Sequence, residues 1–283
     1  MKILVTGANG QLGMELRQLE SRYPQHNFVF ASRSELAIED KAAVDDIFLK
    51  ESPDYCVNCA AYTAVDKAES EQELAYLING TAAGYLASAA EKSGTRFIHI
   101  STDYVFDGTA VTPLRESDAV SPLNVYGASK LEGEMQAMQF NSQSIIIRTS
   151  WVYSSFGKNF VKTMIRLMSD KPLINVVQDQ VGSPTYAGDL ADAIMHIVSL
   201  GDKAAPGIYN YSNKGVISWY DFAVAIKDEI KSSCVVNPIP TSSYPTPAKR
   251  PAYSVMNTEK AETKLGLTIP EWRKSLSVCI SKI

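Results

Sequence analysis

The sequence predicts an α/β fold: a doubly wound parallel sheet with helices on both faces, joined to a smaller α/β lobe. Three features predict it. The chain opens on a short apolar run that ends directly in closely spaced glycines. Strand-like runs and amphipathic stretches then alternate through the first half, the pattern of parallel strands joined by crossover helices. Beyond Thr149 the alternation loosens into loops, shorter elements and a proline-rich stretch, which marks a second lobe.

The first strand is expected at 2–6, and it runs into Gly7-Ala8-Asn9-Gly10-Gln11-Leu12-Gly13. Leu12, Leu16 and Leu19 follow at helical spacing. Glycines at such a junction allow a sharp turn and a close approach of a pyrophosphate, whose charge faces the free N–H groups of the helix start. A plain βα turn can carry the same glycines, so the remaining chain must decide. Further strands are expected at 27–31, 55–60, 96–101 and 144–149, with helices at 11–21, 41–51, 71–93 and 125–140. The strands are nearly continuous in Val, Ile and Leu, as strands covered on both faces are. Ligands of such sheets bind beyond the carboxyl ends of the strands. Gly7, Ala61, Thr102 and Trp151 lie at or just past those ends and are expected to share one cleft. Downstream, helices are expected at 159–168, 186–200 and 218–231, strands at 173–177 and 207–210, and a proline-rich stretch at 238–251. The implied division is a dinucleotide-binding domain of residues 1–150, its sheet completed near 178–212, and a substrate lobe of 151–177 and 213–283.

Bulk properties narrow the classes. At 283 residues, with 45% apolar and 20% charged side chains, the chain can bury a large core and has ordinary globular composition. A net charge of −4 gives no electrostatic reason to expect nucleic acid or an anionic membrane as partner. No apolar run approaches the roughly 18 residues that a membrane span needs. Gly7 interrupts the first apolar stretch, so it reads as a strand and not a leader, and the expected location is the cytoplasm. Cys56 and Cys59 have opposite parity in a strand and should point to opposite faces, which argues against a shared metal or disulfide. Cys234, Cys279, His26, His99 and His196 are scattered, and no metal site is expected.

Tyr126 and Lys130 stand four residues apart in Tyr-Gly-Ala-Ser-Lys, so one helical face would carry both. A free phenol, with a pKa of roughly 10, is a poor acid–base catalyst near neutrality. A neighbouring ammonium favours the phenolate and should lower that pKa. Alone, the pair could be an ordinary surface pair. Combined with the glycine turn, and with Thr102 after a strand, it predicts reduction or oxidation with a nicotinamide dinucleotide.

The glycine spacing is similar to that of extended short-chain dehydrogenases/reductases, whose nucleotide-binding fold is of the Rossmann type. Along its length the chain resembles the dTDP-4-dehydrorhamnose reductases within that superfamily. The resemblance rests on the glycine turn, on Thr63-Ala64-Val65-Asp66-Lys67-Ala68-Glu69, Ser101-Thr102-Asp103-Tyr104-Val105-Phe106, Arg148-Thr149-Ser150-Trp151-Val152-Tyr153, and Tyr244-Pro245 through Arg250-Pro251. It implies reduction of a C4 ketone of a dTDP-sugar. Tyr126 would donate the proton, Lys130 would lower its pKa and hold the nicotinamide ribose, and Thr102 would hydrogen-bond the C4 oxygen. Asp103 would bind a sugar hydroxyl, Trp151 would pack on the sugar, and Arg250 would clamp the substrate pyrophosphate. Gly7, Gly10, Gln11, Leu12 and Gly13, with Ala61, Tyr62 and Thr63, would line the dinucleotide. Core packing for Trp151, loop capping for Asp103 and a solvated Arg250 are the bland alternatives.

Ala37 stands where the family often has an acidic residue contacting the adenosine end. Glu15 matches a magnesium position of some relatives without the rest of that set, so magnesium is left open. Ser32 and Arg33 end the second strand where an NADH-dedicated enzyme carries an acid. They favour NADPH, with NADH as the alternative. A monomer or a homodimer is equally compatible. The rival functions are another nucleotide-sugar epimerase or dehydratase, or a regulatory subunit like the methionine adenosyltransferase β subunit. Tyr104 stands where dehydratases of this superfamily carry a glutamate.

Overall fold

The computed structural model describes all residues, Met1–Ile283. In chain order the first half runs β1 (Lys2–Thr6), α1 (Gln11–Leu19), β2 (Asn27–Ala31), α2 (Lys41–Glu51), β3 (Tyr55–Asn58), α3 (Val65–Ala68), α4 (Gln72–Tyr76), α5 (Ala82–Ser93), β4 (Arg96–Thr102), α6 (Val125–Phe140) and β5 (Ile145–Thr149). The second half runs β6 (Val152–Tyr153), α7 (Phe160–Asp170), β7 (Leu173–Val177), β8 (Val181–Gly182), β9 (Thr185–Tyr186), α8 (Ala187–Leu200), β10 (Gly207–Asn210), β11 (Ile217–Ser218), α9 (Trp219–Glu229), β12 (Val235–Ile239), α10 (Glu259–Leu265) and α11 (Trp272–Ile280).

Six parallel strands form the main sheet in the order β10-β5-β4-β3-β1-β2. The order reverses between β1 and β3, which opens a crevice at their carboxyl ends. Alternate residues of each strand feed two cores. Ile3, Val5, Val57, Ile98 and Ile147 pack with α1 and α8. Leu4, Cys56, Phe97 and Ile146 pack with α2, α5 and α6. Each strand is therefore apolar at nearly every position, because each fully buried Leu or Ile contributes about 1.5–3 kcal/mol whichever face it joins. Cys56 lies in one core, and Cys59, just past the end of β3, packs against the other.

The smaller lobe has its own core, in which α7, α9, α11 and the parallel pair β7–β12 bury Met164, Phe222, Ile226 and Leu276. Outside the main sheet β8 pairs antiparallel with β11, and β6 pairs with β9, so residues 181–186, expected to help complete the main sheet, pair elsewhere. The chain then returns to the main sheet, where β10 pairs with β5 and α8 packs on the α1 side.

Two differences from the predicted elements bear on the site. The helix expected over 71–93 is interrupted by a π-helical turn at Leu77–Thr81. That turn aims Asn79 inward, where its Oδ1 accepts from the Tyr62 N–H (2.8 Å) and its Nδ2 donates to the Tyr62 carbonyl (3.1 Å) and Ser129 Oγ (2.9 Å). The strand expected over 55–60 stops at Asn58, whose side chain captures the Ala60 N–H (3.2 Å) and turns the chain away from the sheet. Composition did not predict α3, α10 or α11, nor β12, which tolerates Pro238 because its only partner is β7.

Candidate active site

A cleft of about 830 Å³ opens at the carboxyl ends of β1, β3, β4 and β5, and Gly7, Ala61, Thr102 and Trp151 all line it. Gly7 sits at φ +64°, and a Cβ there would lie 2.6 Å from the Ala60 N, so only glycine lets β1 and β3 turn side by side. Gly10, Gln11 and Leu12 start α1 on the cleft wall, leaving helix-start N–H groups for an anion. Gln11 also reaches the small lobe, where its Oε1 accepts from Asn159 Nδ2 (2.9 Å).

Thr102, Tyr126 and Lys130 line the same cleft. Asn124 caps α6 by accepting from the Gly127 N–H (2.8 Å), which sets where the helix begins. A Cβ on Gly127 would fall 2.2 Å from the Tyr104 carbonyl oxygen, so this glycine brings α6 hard against the turn after β4. The Tyr104 and Tyr126 rings meet edge to face at 5.6 Å. Lys130 is buried and donates to the Ile100 carbonyl, with His99 Nε2 at 3.4 Å.

The electrostatics correct one expectation. Burial is the largest influence on the Tyr126 phenol and pushes it up to about 12, although the Thr102 hydroxyl pulls it down. The Lys130 amine is itself pushed down to about 8 by burial, against the upward pull of Glu134. Lys130 is directed at Ile100 and His99, and it is not among the groups that lower the phenol. Asp103 is buried too, and burial pushes its carboxyl up to about 6. Its Oδ1 accepts from the Thr102 hydroxyl (3.0 Å), its buried Oδ2 makes no close hydrogen bond, and the Ser254 hydroxyl nearby favours the charged form.

Residues 1–283 match the model of the RmlD substrate binding domain. The chain belongs to that family. It is 41% identical to a dTDP-4-dehydrorhamnose reductase of Aggregatibacter actinomycetemcomitans, over 97% of each chain. Its fold superposes on a reductase of that name from Clostridium acetobutylicum with a TM-score of 0.95 at 42% identity, over 99% of both chains. The Bacillus anthracis enzyme, solved in complex with NADP, gives a TM-score of 0.95 at 36% identity over 100% of this chain and 99% of that one.

Against the family pattern, four predicted residues stand off the cleft wall. Gly13 packs on the turn itself, where a Cβ would meet Gly7 O and Ala8 Cα at 2.6 Å. Ser32 is buried and shares a hydrogen bond with Ser34 (2.9 Å) while its N–H donates to Glu35 (2.8 Å). Tyr62 turns outward to donate to Glu71 (2.6 Å), leaving Ala61 and Thr63 to line the cleft. Arg250 forms a two-pronged pair with Asp66 (2.9 and 2.8 Å), which holds the Asp66 carboxyl below its ordinary range. Trp151 does line the cleft, at φ +49° and stacked on Trp219 at 3.6 Å, so it serves both wall and core.

Other wall residues escaped the sequence. Glu39 lines the cleft and pairs with Arg33 Nη2 at 2.5 Å, two positions beyond Ala37. Trp219 and Lys158 reach the cleft from the small lobe, and no local signal marks them. Glu15 does not fit a metal ligand. It is turned inward, accepting from Ser154 Oγ (2.6 Å) and Tyr186 Oη (3.5 Å), and no cluster of three or more His, Cys, Asp or Glu surrounds it.

Proposed function

We infer that the protein is an NADPH-dependent reductase of the C4 ketone of dTDP-4-dehydro-L-rhamnose, forming dTDP-L-rhamnose. The observation that carries this reading is that Thr102, Tyr126 and Lys130 line one cleft together with the glycine turn, in a chain about two-fifths identical along its length to reductases of that name. Bound NADPH supplies the hydride. Tyr126 donates its proton to the C4 oxygen, and Thr102 and Lys130 favour the phenolate left behind. The Oδ2 of Asp103 accepts from a neighbouring sugar hydroxyl. Trp151 gives the sugar a flat apolar face, and Arg250 meets the substrate pyrophosphate by exchanging Asp66 for it. The lobe of residues 151–177 and 213–283 thereby adds Trp151 and Arg250 to the sugar-nucleotide side, and residues 1–150 supply the dinucleotide side along with Tyr126 and Asp103. All these groups come from one chain, so the reading needs no second subunit, and no helix is long and apolar enough to cross a membrane.

A dehydratase is disfavoured because Tyr104 occupies the position of the required acid, with its phenol pushed up by burial. Oxidation of NADPH on addition of dTDP-4-dehydrorhamnose, with dTDP-L-rhamnose identified as product, tests the assignment. Binding of the sugar nucleotide without turnover would reject it in favour of a regulatory subunit.

Cofactor choice gives a second test. Arg33 reaches the cleft with its charge matched by Glu39, so a 2′-phosphate must compete for the guanidinium. Arg33→Ala is expected to reduce kcat/KM for NADPH about tenfold, the scale of one charge-assisted hydrogen bond, and to leave NADH nearly unchanged. An equal loss with both cofactors would remove Arg33 as the selector.

A further inference from the structure

Behind Lys130 lies a buried hydrogen-bond chain through His99, Asn58 and Thr6, each no more than 2% exposed. Its polarity is set at one end. The Ala60 backbone N–H can only donate, and it donates to Asn58 Oδ1 (3.2 Å), which also accepts from the Thr6 hydroxyl (2.6 Å). The Asn58 amide is thereby oriented, and its Nδ2 must donate to His99 Nδ1 at 3.0 Å. Nδ1 is then the lone-pair nitrogen. Burial and the nearby Lys130 charge hold the His99 ring well below its ordinary pKa, so it is neutral with its proton on Nε2.

Nε2 is the atom that faces Lys130 Nζ, at 3.4 Å. An N–H directed at an ammonium is a donor against a donor, whereas a neutral amine has a lone pair to accept it. A histidine in the other tautomer would instead stabilise the ammonium. We propose that His99 is a positioning residue that acts through Lys130: by presenting an N–H rather than a lone pair, it holds down the proton affinity of Lys130 and sets the pH at which its charge is lost. This rests on the reading above, in which Lys130 works as an ammonium. The other groups acting on Lys130 are Glu134 on its own helix, which favours the charge, and the Cys59 thiol after β3, itself pushed up to about 12 by burial and so uncharged. Tyr126, one turn earlier on α6, keeps its proton over the same range.

The sign follows directly. Activity that needs the ammonium is present at low pH and is lost as pH rises through the Lys130 value, about 8. Without the opposing N–H that limb should move to higher pH. His99→Leu removes the donor, and His99→Gln lets an amide oxygen face Nζ instead. Both are expected to move the alkaline limb of kcat upward by about one pH unit, with NADPH affinity near pH 6.5 retained. A limb that stays in place in a folded variant overturns the proposal. Should both variants fail to fold, the wild-type protein decides through nitrogen NMR of its three histidines, assigned by single replacement of His26 and His196. The expected signature is a His99 ring protonated on Nε2 and bare on Nδ1 from pH 6 to 9, and the opposite tautomer overturns the proposal. An undiminished kcat in Lys130→Met would instead overturn the underlying reading of Lys130. An inactive Lys130→Met beside an unmoved limb in the His99 variants rejects the role of His99 alone.

Discussion

Tyr126→Phe is expected to lower kcat by roughly 10²- to 10⁴-fold, the usual worth of a positioned general acid. The fold should survive, because the ring keeps its edge-to-face contact with Tyr104 and the substitution removes only the hydroxyl. Burial pushes the phenol up to about 12, so at working pH the group is a proton donor, and the cost of reaction lies in forming the phenolate. Thr102 lowers that cost, whereas the Asp103 carboxylate adds to it. NADPH binding should change little, since the substitution leaves the glycine turn and the start of α1 untouched. Stopped-flow reduction of the keto-sugar separates binding from chemistry. A phenylalanine variant with near-normal kcat would show that the proton comes from elsewhere.

Glu134→Gln should produce the largest loss of stability of any single polar substitution near the site. The Glu134 carboxylate accepts from Arg148 Nε (2.9 Å) and Nη2 (2.7 Å), and also from Ser101 Oγ. Both side chains of the pair are only 3% exposed. Removing the acid strands a buried guanidinium, for which about 3–5 kcal/mol is the expected penalty. The pair also bolts the helix that carries Tyr126 and Lys130 to β4 and β5, on which Thr102 and Thr149 sit. Glu134 favours the Lys130 charge, so its loss should move the alkaline limb of kcat to lower pH, opposite to the shift expected for His99→Leu. Chemical denaturation and a pH series check the two effects separately. A stability change below about 1 kcal/mol would mean that Arg148 finds another acceptor, such as the Glu116 carbonyl at 3.4 Å.

The site was legible in the sequence where chemistry and secondary structure share a period. Tyr126 and Lys130 are one helical turn apart, so the helix alone places them together. The glycine turn carries its meaning in the same way, since β1 must end where α1 begins. Lys158 and Trp219 were not legible, because each reaches the cleft only through the way the small lobe folds back over it. For Ser32, Tyr62 and Arg250 the sequence could not show the partners that their side chains take in the folded chain, Ser34, Glu71 and Asp66.

By itself the sequence determined the class of fold, the strands at Lys2–Thr6, Asn27–Ala31 and Leu173–Val177, the helices at Lys41–Glu51 and Val125–Phe140, and which side-chain types stand where. These depend on local periodicity and on side-chain type, which the chain carries wherever it goes. Tertiary structure alone decided the charge states and the partners. Burial, a property of the packed molecule, pushes Tyr126 and Asp103 up and Lys130 down. The direction of the hydrogen bonds behind Lys130 is set by a backbone N–H at Ala60, brought to Asn58 by the end of β3. A sequence lists donors and acceptors, but only the packed sheet and helices determine which of them meet.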